Sequence, residues 1–456
     1  MNTLVGKSLT SKIRKMGILI LTSLILTVVA GSVCSTPAFV DSEVYFPDPY
    51  LNTSICNALG IPYGNPIMQS GLDNLTILVA EASPISNLTG MEYCTNLSYL
   101  SFDGDALDDT SNISTLSNLT NLSTLYLSSN QIGNISALSG LTNLSILYLS
   151  DNIISNISAL SNLTNIYFLE LPHNQISNIS ALSNLTNLTI LALDDNQISN
   201  ISTLSNLTNL YLLGLDTNQI SNISALAKLT HLDELYIDSN QVSNISPLSN
   251  LTNLTMLWAM SNQISNISAL ANLTNLSILN LHNNLVSNIS ILLSTLKPGS
   301  WLEITGNPLD TDDFKVVIPT LLSKGVFVTN DTPYTLTYTA GVGGYISGIN
   351  PQYVGPTFNG TAVTAVPNSS YSFNNWGDSS DQNPRLDTNV NNDINVTANF
   401  SPIPNPFNKS ILVAVAVVWI CICLLFIMAN AEEGIFILII LVLLTIAGLA
   451  AIVPFL

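Results

Sequence analysis

The fold class this sequence predicts is α/β: a curved solenoid of repeated strand-and-turn units, then a small β-rich domain, then a C-terminal transmembrane helical hairpin. Three observations predict it. A unit of 22 residues recurs, with starts at Leu119, Leu141, Leu163, Leu185, Leu207, Leu229, Leu251 and Leu273. Between residues 334 and 400 the apolar residues alternate in short runs separated by Gly, Pro and Asn. From Ile411 to Ala429, and again from Ile435 to Leu456, no charged residue occurs.

Composition narrows the function. Only 9% of the 456 residues are charged, with 10 Lys and Arg against 29 Asp and Glu, a formal net charge of −19. Four of the bases, Lys7, Lys12, Arg14 and Lys15, lie in the first fifteen residues, which leaves the rest without a basic cluster. A nucleic-acid backbone needs Lys and Arg to replace its counterions, so nucleic acid is excluded as a partner. Five cysteines in this length do not make a disulfide scaffold.

Residues 1–38 read as a signal peptide or an uncleaved signal anchor. A basic stretch to Lys15 precedes the apolar run Gly17–Ala30, with small residues at Ala30–Ser32 and at Thr36 and Ala38 for cleavage. Val33 is a poor neighbour for a lipid-carrying Cys34. Residues 39–71 form an N-terminal cap, where Asp48-Pro49 starts a helix, Gly60 stops it, and Leu51, Ile55 and Leu59 share one face.

The repeats occupy 72–309. Divergent units begin at Leu72 and Cys94, the second with three inserted residues at Asp108–Thr110, and a truncated one runs from Leu296 to Asn307. Leu125-x-Leu127-x-x-Asn130-x-Ile132 at a fixed period is the leucine-rich-repeat signature, so the solenoid is a horseshoe. Leu125 and Leu127 alternate and point inward from one short strand. From Ile132 the apolar positions step by three through Ile135, Leu138, Leu141 and Leu144, which fits 3₁₀ or extended turns on the convex side. Asn130, Asn152, Asn174, Asn196, Asn218, Asn240, Asn262, Asn284 and Asn307 form a ladder where the strands end, able to bond the backbone groups that leave the sheet. Eleven stacked strands would give a parallel sheet roughly 50 Å long.

Residues 310–330 form the exit cap, with Phe314, Val317, Ile318, Leu321 and Leu322 at helical spacing and Pro319 as a kink. Residues 331–400 read as β segments with a Gly-rich hairpin at Gly341–Gly344. Residues 401–409 are a Pro-rich linker, and 410–456 form the membrane hairpin, each run long enough to cross about 30 Å of hydrocarbon.

By these residues the chain resembles the internalin class of bacterial leucine-rich-repeat surface proteins over about 45–330. The resemblance is carried by Phe46-Pro-Asp48 at the entry, by Gly306-Asn-Pro-Leu309 and Lys324-Gly-Val326 at the exit, and by Gln175-Ile-Ser-Asn-Ile-Ser-Ala-Leu182 in the repeat, with Asn178 where an acidic residue is common. Tyr334–Tyr345, Gly360–Pro367, Phe373–Trp376 and Ile394–Phe400 look like a divergent internalin B-type repeat. The resemblance implies adhesion or recognition at a cell surface, with an extracellular repeat ectodomain. The chain departs from the class in having no LPxTG sorting motif or basic tail, so an integral membrane hairpin replaces wall attachment.

Three columns of residues vary between repeats and face out of the concave sheet. Tyr126, Tyr148, Phe168, Glu170, Asp194, Asp216, Tyr236, Asp238, Met256 and Trp258 are the candidate ligand-binding residues. Exposed apolar columns beside an acidic row suit a protein or glycan partner, with Tyr and Trp as anchors; the bland reading is that these columns shield the sheet. Asp194, Asp216 and Asp238 recur about 5 Å apart, as a solvated acidic edge or a calcium site, although three monodentate carboxylates fall short of calcium's six to eight oxygens. Asn-x-Ser/Thr triplets such as Asn118, Asn121 and Asn134 are generated by the repeat itself, so glycosylation stays open. Cys56 and Cys94 either pair as a disulfide or remain free. His173 and His282 are five repeats apart, and no catalytic motif, metal set or cofactor loop is present in the sequence. A structural reading competes with recognition, in which the horseshoe is an envelope spacer and the hairpin docks into a membrane complex.

Overall fold

The computed structural model describes residues 41–80, 83–109 and 111–404, together with residues 416–422, 424–425, 440 and 442–443, which are α-helical. The signal segment, linker residues 405–409 and most of the hairpin lie outside the described residues. Among the described residues no helix is long and apolar enough to cross a membrane.

The solenoid carries one parallel sheet in strict sequence order: β1 (Ile77–Val79), β2 (Tyr99–Ser101), β3 (Thr124–Tyr126), β4 (Ile146–Tyr148), β5 (Phe168–Glu170), β6 (Ile190–Ala192), β7 (Leu212–Gly214), β8 (Glu234–Tyr236), β9 (Met256–Trp258), β10 (Ile278–Asn280), β11 (Trp301–Glu303) and β12 (Phe327–Thr329). The sheet has twelve strands where the repeats predict eleven, because the exit cap adds β12 beside β11, Trp301 opposite Phe327. The middle residue of each repeat strand is a fully buried leucine, such as Leu125, Leu147 and Leu169. Burying one such side chain contributes about 2 kcal/mol, repeated along the whole core. The convex side consists of short 3₁₀ turns, among them Ser136–Gly140, Ser158–Asn162 and Ser202–Asn206. They follow from the three-residue step, because each turn brings one leucine (Leu138, Leu160, Leu204) into the core.

The asparagine ladder holds the repeats together. Asn152 Nδ2 donates to Leu127 O of the preceding repeat and to Leu149 O and Ser150 O of its own, while its Oδ1 accepts the Ile132 N–H. The same four bonds recur at Asn174, Asn196, Asn218 and Asn240. The residue before each rung turns the chain with positive φ: Ser129, Asp151, His173, Asp195, Thr217, Ser239, Ser261 and Asn283 lie between 51° and 58°. A second ladder, unforeseen in the sequence, runs along the convex side. Asn143, Asn165, Asn187 and Asn209 each donate Nδ2 to a threonine carbonyl of the preceding repeat, and His231 Nδ1 lies 2.9 Å from Thr208 O at the same position. The third asparagine of each triplet set accepts a serine N–H two residues on, as Asn134 does from Ser136. Two of the three recurrent Asn-x-Ser/Thr positions therefore have structural bonds of their own.

Both ends are capped. Helix α1 (Pro49–Leu59) starts at Asp48, whose Oδ1 accepts the Tyr50 and Leu51 N–H groups, and ends at Gly60 with φ 67°. The other Asp48 oxygen accepts from Ser86 and Asn87, which ties the cap to the first repeat. At the exit a π-helical turn (Asp313–Val317) leads into an α-helix (Ile318–Ser323) with Pro319 in its first turn; Val317, Ile318 and Leu321 are buried and Leu322 is exposed. The disulfide that the sequence left open is not formed. Cys56 and Cys94 are free and buried in the core, with Cys56 Sγ turned to Asn52 Oδ1 and burial pushing the Cys94 thiol up to about 12.

The β-rich domain forms a four-stranded sheet of β15 (Gln352–Val354), β13 (Tyr334–Ala340), β18 (Ile394–Pro402) and β17 (Tyr371–Trp376), with a two-stranded sheet of β14 (Gly344–Ser347) and β16 (Thr364–Pro367). The expected hairpin at Gly341–Gly344 is instead a corner between sheets: β13 pairs with β15 and β18, and β14 with β16. The glycines are needed because rings cover them; a Cβ on Gly343 would stand 2.2 Å from Tyr371 and one on Gly344 2.2 Å from Phe400. β18 runs two residues past the predicted boundary at 400. Buried Arg385 bonds Asp378 and both Asp387 oxygens, and Tyr338 OH donates to Asp387. Tyr353 N–H donates to Thr311 Oγ1, which seats this domain on the exit cap.

Replacing Asn196 by Ala removes three donated bonds and leaves the buried Ile176 N–H without its acceptor. The loss expected is about 3 kcal/mol, against under about 1 kcal/mol for Asn187→Ala on the exposed convex ladder. Urea unfolding of the two variants checks this ordering.

Candidate functional site

The first and third residues of each repeat strand face the concave side, and so does the residue two further on. The parallel register sets equivalent positions side by side: Tyr126, Tyr148, Glu170, Ala192, Gly214, Tyr236 and Trp258 form one column, and Ile146, Phe168, Ile190, Leu212, Glu234 and Met256 another. Both columns were expected to be exposed, and the structure corrects this in the middle of the sheet. Tyr148, Phe168, Ile190, Leu212 and Tyr236 are 5–7% exposed and pack into a cluster of their own, with Tyr126, Ile146 and Trp258 against its edges. Glu170 is buried as well. Strands stacked about 4.8 Å apart leave a large side chain no room except against its neighbours, so a column of them covers itself.

The rings stack along the solenoid. Tyr126 and Tyr148 lie 4.3 Å apart at 10°, Tyr148 and Phe168 4.7 Å apart, Tyr236 and Trp258 6.4 Å apart at 15°, and Trp258 and Trp301 5.7 Å apart. The run breaks at Ala192 and Gly214. A Cβ on Gly214 would come within 2.6 Å of Asp194 Oδ2, so the glycine makes room for that carboxylate.

The acidic row is a structural ladder, not the solvated edge expected. Asp194 Oδ1 accepts the Asp216 N–H, Asp216 Oδ1 the Asp238 N–H and Asp238 Oδ1 the Met260 N–H. Asp238 is buried and the other two are half-buried. Burial pushes Asp194 up to about 6 and Asp238 up to about 7, and burial together with both neighbouring carboxylates pushes Asp216 well above the ordinary range. Among the described residues no group of three or more His, Cys, Asp or Glu side chains could hold a metal ion.

Of the ten candidate residues, Tyr126, Asp194, Asp216, Met256 and Trp258 are half-exposed, and the other five are buried. Around β9 large side chains stay half open: Met256, Trp258, Met260 and Trp301 are all half-buried. Met260 and Trp301 belong to the variable columns but were not among the candidates. Their signal is positional, since Met260 follows where the aspartate row stops and Trp301 closes the ring stack. Glu234 and Glu303 flank them, Glu234 accepting from Tyr236 OH at 2.7 Å and Glu303 from Thr305 Oγ1 at 2.5 Å.

The comparisons with known proteins agree with this architecture. Residues 334–404 match the family described as divergent InlB B-repeat domain, and residues 120–162 and 252–294 match leucine rich repeats (2 copies). No curated protein matches the chain. Among solved structures, an internalin (inlF) from Listeria monocytogenes str. 4b F2365 is 35% identical, with 62% of this chain and 90% of that chain covered and a TM-score of 0.54. An internalin C2 (inlC2) from the same strain is 35% identical over 48% of this chain and 97% of that chain, with a TM-score of 0.46. The functional domain of InlJ from Listeria monocytogenes, which includes a cysteine ladder, shares the fold at 24% identity and a TM-score of 0.51, over 58% of this chain and 56% of that chain.

The aspartate row makes stability depend on pH. Unfolded aspartates lose their protons near about pH 4, whereas these keep theirs to higher pH when folded, so the folded chain binds more protons between about pH 4 and 7. Stability contributed by the row is therefore present at low pH and lost as pH rises through that window. His173, Asp195, Glu234 and Tyr236 are the other titratable groups around it. The melting temperature is expected to be higher at pH 5 than at pH 8, and the difference to shrink in Asp216→Asn, whose Oδ1 can still accept the Asp238 N–H. Calorimetry across this range checks both.

Proposed function

The chain belongs to the internalin family of leucine-rich-repeat proteins, and on that premise we propose that it is a membrane-anchored cell-surface recognition protein that binds a protein partner at the C-terminal half of its concave sheet. The observation that carries this is the half-exposed patch of Met256, Trp258, Met260 and Trp301, beside a middle stretch that is closed by its own packing. Large apolar side chains held on a rigid sheet and left half open are suited to anchor an interface, because their position is already fixed before binding.

A protein suits this patch better than a glycan. Sugar rings stack on free aromatic faces, whereas the Trp258 ring has Tyr236 at 6.4 Å and Trp301 at 5.7 Å beside it. A half-exposed ring crowded in this way suits side chains of a protein surface. The chemistry is that of binding, not catalysis: the three histidines stand apart, with His173 on Asp195, His231 on Thr208 O and His282 on Thr305.

Membrane anchoring rests on the two uncharged apolar runs, Ile411–Ala429 and Ile435–Leu456. The described part agrees in character: Val417, Val418, Trp419, Ile420, Ile422, Leu424 and Leu425 lie on helical residues and are 47–67% exposed. Exposed apolar side chains of this kind are suited to lipid. The exported segment then lies outside the cell, with the horseshoe and the B-repeat domain in the ectodomain.

Crosslinking capture with the full-length chain in detergent, from its own envelope and from candidate partner cells, tests this reading. The wild type is expected to capture a protein that the Trp258→Ala/Trp301→Ala variant loses. Capture of the same species by both would move the interaction to the membrane hairpin and leave the horseshoe as a spacer.

A further inference from the structure

We propose that the partner segment seated on this patch is basic: a large apolar side chain rests on Met256, Trp258, Met260 and Trp301, and flanking Lys or Arg side chains meet Glu234 and Glu303. The inference rests on the reading that the C-terminal half of the concave sheet is the recognition surface, and it adds the chemistry of what that surface takes.

Charge complementarity carries it. None of the twelve strands of the horseshoe contains a Lys or Arg, whereas Glu170, Glu234 and Glu303 lie on them and Asp194, Asp216 and Asp238 follow directly behind. Among the described residues the ion pairs are His173 with Asp195 and Arg385 with Asp378 and Asp387, and neither Glu234 nor Glu303 takes part in one. Glu234 and Glu303 are half-exposed and already oriented. Tyr236 OH fixes one Glu234 oxygen, Thr305 fixes Glu303 Oε1, and the second oxygen of each carboxylate lies outside these bonds. His282, whose Nδ1 lies 2.6 Å from Thr305 Oγ1, extends the same polar line. An incoming cation would meet two positioned carboxylates on a strongly acidic chain, which steers approach as well as adding contacts.

The same charge argues against a second copy of this chain as the occupant. A molecule of net charge −19 that presents an acidic sheet repels its own copy, and the bases of its repeats are few. An acidic partner is excluded for the same reason.

The test uses the full-length chain in neutral detergent and fluorescence anisotropy with four probes: a labelled peptide with a central Phe flanked by three Lys on each side, its counterpart with Glu for every Lys, its counterpart with Ala for Phe, and a labelled neutral hexasaccharide. The Lys peptide is expected to bind and the Glu peptide not to. Loss of the Phe should weaken binding about thirtyfold, as for a hot-spot anchor. Glu234→Gln/Glu303→Gln should weaken the Lys peptide about tenfold at low salt and much less at high salt. Asp312→Asn/Asp381→Asn, which removes the same charge elsewhere, should leave binding at the wild-type level. Binding of the Glu peptide or the hexasaccharide as tightly as the Lys peptide would overturn the proposal, as would equal weakening by both double variants. Urea midpoints equal to wild type establish that the variants are folded. If crosslinking capture is lost with Trp258→Ala/Trp301→Ala while the probes show no preference for the basic peptide, recognition by this patch stands and the basic partner falls.

Discussion

Every turn of this solenoid takes backbone N–H and C=O groups out of the sheet and into the interior, where water cannot bond them. The asparagine at the end of each strand answers that requirement with a single side chain, and it does so across the repeat boundary: Asn152 reaches Leu127 O and Ile132 N–H of the preceding unit. An amide is the side chain that both donates and accepts at that point. An aspartate can do only half of the work, and Asp105, at the equivalent position one repeat before Asn130, accepts the Ser83 N–H. Because each rung spans two repeats, the units cannot slide or splay independently. Strand register, convex turns and the second ladder of Asn143 to Asn209 all follow from that fixed spacing.

The spacing also decides what the concave face can offer. Side chains repeated at one strand interval must lie against each other, so a column of Tyr, Phe, Ile and Leu becomes a second core on the outside of the sheet. The aspartate row is built in the same way, each carboxylate bonded to the backbone of the next repeat. Regularity therefore closes the face, and departures from it open the face. The sheet leaves large apolar groups open at its first strand, where Ile77 and Val79 are exposed, and again at β9, where Met260 ends the aspartates and Trp258 stands between Tyr236 and Trp301. The proposed recognition patch lies at β9 because two tryptophans and two methionines gather there half exposed.

Much of this was legible in the residues. The inward leucines, the 3₁₀ convex turns, the asparagine ladder, both caps and the α1 boundaries at Asp48 and Gly60 follow from period, capping and turn chemistry. What was not legible depends on neighbours that only the register supplies. A tyrosine read in its own strand looks exposed, whereas Tyr148 is covered by Tyr126 before it and Phe168 in the strand after it. The aspartates read as a solvated edge because their acceptor role involves the N–H of another repeat. β12 was missed because it lies in the cap, outside the repeat pattern, and the corner at Gly341–Gly344 was read as a hairpin because the rings of Tyr371 and Phe400 that demand those glycines come from distant strands.

The most direct measurement of this account needs no partner: hydroxyl-radical footprinting of the full-length chain, with each aromatic residue's oxidation rate divided by its rate in the denatured chain. The account predicts strong protection of Tyr148 and Tyr236, weaker protection of Trp258 and Trp301, and little at Tyr211, which is 48% exposed. Tyr148 and Tyr236 oxidised as fast as Tyr211 would mean that the concave columns do not close on themselves, and the assignment of recognition to the β9 patch would lose its basis.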